Sequence, residues 1–178
     1  PASSLMFKVL TLPPADAGSR GAMVRLQMEK IAPYAGEDLT VGYEVLTESP
    51  EGVRVFAVAI ARPALDGLER VLAAAGLRLT RLDAALLGWW HQLQASEPSG
   101  VAWAQGRQLV LFAQGPSWDC LLIDAGTPLL ARALGQPRGP LDLAREVALS
   151  LMNAELEAAP APLEALRVVA PERPGDDW

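Results

Sequence analysis

Asp124, Gly126 and Thr127 are the residues of this 178-residue chain whose types and spacing could do chemistry. They lie within the run Arg107–Leu134 (RQLVLFAQGPSWDCLLIDAGTPLLARAL). An Asp-x-Gly-Thr unit between two strands can hold phosphate, with Asp124 on a Mg²⁺-bound water and the Gly126 and Thr127 amides cradling oxygens. The same residues can instead close a hairpin, the aspartate and glycine supplying turn conformations. Both readings need one frame: strands over Arg107–Ala113, Trp118–Ile123 and Leu129–Leu134. Gly115-Pro116-Ser117 and Asp124-Ala125-Gly126-Thr127-Pro128 are the turns between them.

Other chemistry is thinly supplied. His91 is the single histidine, and a zinc site needs three or four ligands, so it reads as a surface or interface residue. No G-x-S-x-G elbow, G-x-x-x-x-G-K-[ST] or G-x-G-x-x-G occurs. Cys120, between Asp119 and Leu121 on a strand, reads as a small buried hydrophobe. The carboxylates Asp66, Glu69, Glu146, Glu155, Glu157, Asp176 and Asp177 are scattered, as on solvated helix faces or a tail. Trp89 and Trp90 are adjacent on an expected helix, where neighbours diverge by about 100°. One ring must therefore leave the core and offers a partner contact.

Composition bounds the rest. Half the residues are hydrophobic (51%) and 20% are charged, a globular balance. The net charge of -6 leaves no basic stripe for nucleic acid. The longest apolar runs, such as Val55–Ala61, are too short to span a bilayer. A lone cysteine excludes an internal disulfide and suits a reducing compartment, which points to the cytoplasm. The chain opens at Pro1 rather than methionine, and no signal peptide is visible.

The elements follow from periodicity and punctuation. Ser4–Leu10 alternates as a strand with Leu5, Phe7 and Val9 on one face. Ser19 caps a helix over Arg20–Ala32 striped by Val24, Met28 and Ile31, and Pro33 ends it. Thr40–Leu46 is a strand with Val41, Tyr43 and Val45 on one face. Ser49-Pro50-Glu51-Gly52 turns into the strand Val53–Ala61. Pro63 opens a helix buried along Leu65, Leu68 and Leu72, and Gly76 closes it. A strand over Leu77–Leu82 and a helix over Ala84–Leu93 complete a β-α-β-β-α-β lobe with a trailing helix, residues 1–95. The polar Ala95–Gly100 marks the boundary to a second half, residues 96–178. That half opens on a strand at Val101–Gln105 before the meander. A helix from Pro140 to about Ala158, with Leu143, Val147 and Leu151 one turn apart, and a strand over Leu166–Ala170 follow.

Taken in order, these segments resemble PilM-type pilus assembly proteins. The likeness runs through Met23–Tyr34 (MVRLQMEKIAPY), Leu39–Leu46 (LTVGYEVL), Val55–Ala61, Leu68–Leu77 (LERVLAAAGL), Thr80–Asp83 and Gly126–Arg132 (GTPLLAR). It implies an α/β, actin-like ATPase (ribonuclease-H-like) fold, reduced or partial. It further implies a scaffold beneath the inner membrane that holds the cytoplasmic tail of a PilN-like membrane protein. The related cytoplasmic domain of GspL docks the type II secretion ATPase, and on that reading a transmembrane helix should follow Trp178. Two departures matter. The family's opening G-x-D-x-G-x-x-x-x-K loop has no counterpart, and its second loop falls on Leu109–Gly115, which has no aspartate. That register favours the hairpin at Asp124, so no ATP or Mg²⁺ cofactor and no ATP hydrolysis are expected. Arg25, Lys30 and Tyr34, with Trp89 and Trp90, are the interface candidates. Two other classes stay open: a sugar-kinase-like phosphotransferase using Asp124, and a stand-alone α/β binding domain.

Overall fold

In a computed structural model of the chain, residues 5–32, 38–96, 105–157 and 161–170 are described. The chain divides into two compact units, one running to Gly88 and one starting at Trp89. The division falls inside a helix, upstream of the expected boundary after Ala95.

The first unit is built on a three-stranded antiparallel sheet in the order β1-β3-β2, from β1 (Leu5–Leu12), β2 (Leu39–Ser49) and β3 (Gly52–Ala61). Val53, Val55, Ala57 and Ala59 of β3 pack with Leu12, Leu39 and, from helix α1 (Ala17–Ile31), Val24 and Met28. The apolar alternation therefore fixes one covered face. The register sets Leu10 opposite Val55 and Val41 opposite Ala59, so these join the helix side. Leu5, Phe7 and Val9 fall on the other side, opposite Ile60, Val58 and Phe56. The two triplets legible in the sequence thus point to opposite faces. At the β2–β3 turn, a Cβ on Gly52 would lie 2.6 Å from the Leu12 carbonyl oxygen, which is why glycine stands there.

Four local expectations need correction. Helix α1 starts earlier than Arg20, because Asp16 rather than Ser19 is its cap. The Asp16 carboxylate accepts from the Gly18 and Ser19 amides at 2.9 Å each and from the Ser19 hydroxyl at 2.8 Å. The buried stripe of α1 is Arg20, Val24 and Met28, with Ile31 exposed. Arg20 can be buried because its guanidinium donates to Glu48 at 2.8 Å and to the Ala15 carbonyl. Helix α2 (Arg62–Ala74) buries Leu65 but leaves Leu68 exposed. Its end is as expected, with Gly76 left-handed at φ 74°. Finally, no strand forms over 77–82. Alternation alone does not make a strand without an edge to pair with, and Arg81 and Leu82 line the sheet's face instead.

Helix α3 (Ala85–Ser96) carries both tryptophans, Trp90 buried and Trp89 half-buried. The second unit then forms a four-stranded sheet in the order β6-β5-β4-β7. Its strands are β4 (Arg107–Gln114), β5 (Ser117–Asp124), β6 (Thr127–Gly135) and β7 (Leu163–Val169). The first three are the expected antiparallel meander, and β7 returns parallel to β4 after helix α4 (Pro140–Glu157). On one face Leu109, Leu111, Trp118, Cys120, Leu122 and Leu134 pack with Ala154 of α4, joined by Leu143, Val147 and Leu151. On the other, Val110, Phe112, Leu121 and Ile123 are also fully buried. Of the expected strand Val101–Gln105, only Gln105 is among the described residues, in a bend with Gly106.

Candidate functional site

The Asp-x-Gly-Thr unit is the tip of the β5–β6 hairpin. Asp124 pairs with Thr127 in register, so Ala125 and Gly126 are a two-residue turn. Both have positive φ, 47° and 78°, the signature of a type I′ turn that matches strand twist. The Asp124 carboxylate accepts from the Arg107 guanidinium at 2.9 Å, and Arg107 is only 5% exposed. The Ala125 amide donates to the Gly106 carbonyl at 3.0 Å. The pair with Arg107 holds one carboxylate oxygen of Asp124 on the β4 side of the hairpin. Geometry and chemistry here are those of a pinned hairpin.

A concavity of about 480 Å³ lies in the first unit, on the sheet face away from α1. Its floor is Thr40, Gly42 and Glu44 of β2 with Phe56, Val58 and Ile60 of β3. Leu65 of α2 and the segment Arg81–Ala84 form its walls. Phe7 of β1 stacks beside Phe56 on the same face, centroids 6.0 Å apart. A Cβ on Gly42 would meet nothing within 4 Å, so that strand position is open to the groove. Two carboxylates, Glu44 and Asp83, and one cation, Arg81, stand around an apolar base. Arg81 donates to Asp83 at 2.6 Å. An apolar floor with an acidic excess at the rim suits an extended segment carrying apolar side chains and a positive charge.

None of the sequence-derived interface residues lines this groove. Arg25 is on α1 and pairs with Glu29 at 2.8 Å, Lys30 is exposed in the last turn of the same helix, and Tyr34 lies outside the described residues. Trp89 and Trp90 belong to α3. The floor residues Thr40, Gly42 and Glu44 escaped notice because they alternate with the conspicuous Val41, Tyr43 and Val45, of which Val41 and Tyr43 also border the groove. The available signals were Gly42 inside a strand and a β3 apolar on both faces, VRVFAVAIA. Among the described residues, no three His, Cys, Asp or Glu side chains gather as metal ligands. Cys120 is buried and its thiol is pushed up to about 11, chiefly by burial, which makes it inert at neutral pH.

No family model matches the chain, and no curated protein sequence does. Solved structures do. A chain of the PilM–PilN type IV pilus biogenesis complex superposes with a TM-score of 0.64 at 23% identity, over 86% of this chain and 47% of that one. The cytoplasmic domain of EpsL, an inner-membrane component of the Vibrio cholerae type II secretion system, gives 0.58 at 18% identity, covering 96% and 59%. A Bacteroides thetaiotaomicron protein described as having an actin-like ATPase fold gives 0.56 at 13% identity, covering 96% and 57%. The chain spans about half the length of each of these structures. It therefore has an α/β fold that is part of an actin-like ATPase fold, the fold it shares with these three structures.

Proposed function

We propose that this chain is a scaffold of an inner-membrane pilus or secretion assembly, which binds a membrane partner's cytoplasmic tail and does not hydrolyse ATP. The observation that carries the reading is the double likeness, to a chain of the PilM–PilN complex and to the EpsL cytoplasmic domain. The finer form is a type IV pilus scaffold on the cytoplasmic side of the inner membrane, holding the tail of a PilN-like protein. The groove over β2 and β3 is its seat, with Glu44 and Asp83 facing a basic juxtamembrane stretch. No described helix is long and apolar enough to cross a membrane. The Asp124–Arg107 pair supports the absence of phosphate chemistry.

A second reading rests on coverage. The EpsL domain matches 96% of the chain, so a GspL-like role docking the type II secretion ATPase is the alternative.

Titration calorimetry tests both halves of the proposal. A synthetic tail peptide of a PilN-like protein should bind, and Gly42→Phe, which fills the groove, should abolish the heat. Mg-ATP should give no heat at millimolar nucleotide. Tight Mg-ATP binding that Asp124→Ala removes would overturn the scaffold reading. Peptide binding untouched by Gly42→Phe would move the seat elsewhere.

A further inference from the structure

Gly42 has no reason within the folded chain to be glycine. Its φ is not among the positive ones, unlike those of Gly76, Gly106, Gly115, Gly126 and Gly135. A Cβ built on it meets no neighbour within 4 Å, unlike one on Gly52 at the end of the same hairpin. Glycine inside a strand weakens the sheet, because the backbone loses more freedom on folding and no side chain packs. Where neither a turn nor close packing calls for it, it leaves room for something else to approach.

That room lies in the groove. Three rungs cross this face of the sheet: Leu5, Ile60 and Thr40; Phe7, Val58 and Gly42; Val9, Phe56 and Glu44. The middle rung steps down from the Phe7 ring, through half-buried Val58, to no side chain at all, so a notch opens at its β2 end. The rungs on either side end on Thr40 and Glu44, both half-buried. Same-face positions along a strand are about 7 Å apart. The seats on the floor therefore repeat with the period of two that an extended chain has and a helix lacks. Charge distinguishes the two ends. Asp83 is engaged by Arg81 at 2.6 Å, and Glu44 is the carboxylate of the floor itself.

We propose that the Gly42–Val58 rung is the anchor subsite of the groove, taking one large apolar side chain from an extended partner segment. The Glu44 rung then takes a basic side chain two residues from that anchor. The assignment rests on the groove being the seat of a partner's tail, and it adds which side chains the tail carries and at what spacing. The anchor is buried over Val58 in the space that a side chain at 42 would fill, and burial of one large side chain is where such sites concentrate their affinity. The basic residue meets the carboxylate of Glu44, whereas at an odd spacing it would point away from the floor. Valine at 42 would strengthen the strand and close the seat, so the glycine exchanges stability for room.

Calorimetric titration of the PilN-like tail peptide and its single-alanine variants into the parent, Gly42→Val and Glu44→Gln tests this. In the parent, alanine at one large apolar residue should weaken binding about tenfold or more. Gly42→Val should melt higher than the parent and bind the unaltered peptide about tenfold more weakly, yet lose little further when the anchor is alanine. Glu44→Gln should weaken the peptide by up to about fivefold, an effect that disappears only when the basic residue two positions from the anchor is alanine. Additive losses from Gly42→Val and the anchor substitution would overturn the assignment while leaving the groove as the seat. Coupling of Glu44 to a residue at an odd spacing would do the same. A tail peptide that gives no heat with the parent would instead overturn the scaffold reading itself, and the subsite with it.

Discussion

The two sheets differ in how completely they are covered, and that difference sets how freely each can change its residues. In the second unit, β4 and β5 are buried along almost their whole length and on both faces. In the first, β2 is exposed at most positions beyond Thr40 and one side of the sheet is left as a groove. A strand buried on both faces has every substitution felt by the core. A strand with one open face can change its outward residues freely, which is what a binding surface requires.

The sharpest test of that contrast is truncation at matched depth in the strand but unmatched cover. Phe112→Ala, from a fully buried position, should destabilise the second unit by about 3–5 kcal/mol in urea denaturation. Val58→Ala, a half-buried position in the groove, should cost roughly 1 kcal/mol or less, since only part of its surface leaves water on folding. Equal losses would mean that the groove face is covered in solution.

Next in size is the β2–β3 turn. Gly52→Ala should cost on the order of 1–3 kcal/mol, because the backbone carbonyl of Leu12 stands in the way and cannot swing aside as a side chain can. The β5–β6 turn should respond in the opposite sense. Ala125 is a non-glycine residue with φ 47°, and Ala125→Asn supplies the residue that type I′ turns prefer. A gain of up to about 1 kcal/mol is expected from relief of left-handed strain, read as a higher urea midpoint. No gain would mean that the Ala125 amide's bond to Gly106 already sets the turn.

The same contrast governs what the sequence disclosed. The meander was legible because each of its strands is punctuated by a glycine turn and each is apolar enough to be buried. Helix α4 was legible from Leu143, Val147 and Leu151, which do pack on the sheet. The strand expected at 77–82 was not, because in its L-R-L-T-R-L run only Leu79 is half-buried, while Leu77 and Leu82 stay exposed. Period alone does not distinguish that from a paired strand. The α1 cap was misplaced because Asp16 and Ser19 are both good caps, and only the hydrogen bonds show Ser19 donating to Asp16. The groove was hidden for a deeper reason. Its floor joins residues of β2 and β3 whose pairing depends on the register, and the bulge after Val45 is not written in any local motif. Partial identity to known folds conveyed the architecture, whereas the surface that would bind a partner is a matter of three-dimensional juxtaposition.

The smallest effects expected are those of two carboxylates, one in each unit, whose pH dependences should run in opposite directions. Asp16 is exposed, and the Ser19 amide and hydroxyl with the Gly18 amide hold its carboxyl below the ordinary 3.8. A depressed folded-state value means that its contribution is full above 3.8 and is lost as pH falls through the folded value. Asp119 is buried, one oxygen accepts from Gln114 at 3.1 Å and the other has no partner, and burial pushes its carboxyl above 3.8. Here the folded state binds the proton more tightly, so stability falls as pH rises from 3.8 through the folded value. Asp119→Asn should therefore raise the melting temperature at neutral pH, by an amount that vanishes in acid, where the parent carboxyl is protonated in both states. Asp16→Ala should lower it at neutral pH, and that loss should also shrink in acid. Melting curves of the three proteins over a pH series decide the matter. Two difference curves of opposite sign converging towards zero at low pH support the assignment. An Asp119→Asn variant less stable than the parent at neutral pH would show that the charge itself is needed there, as a buried anion awaiting a cation.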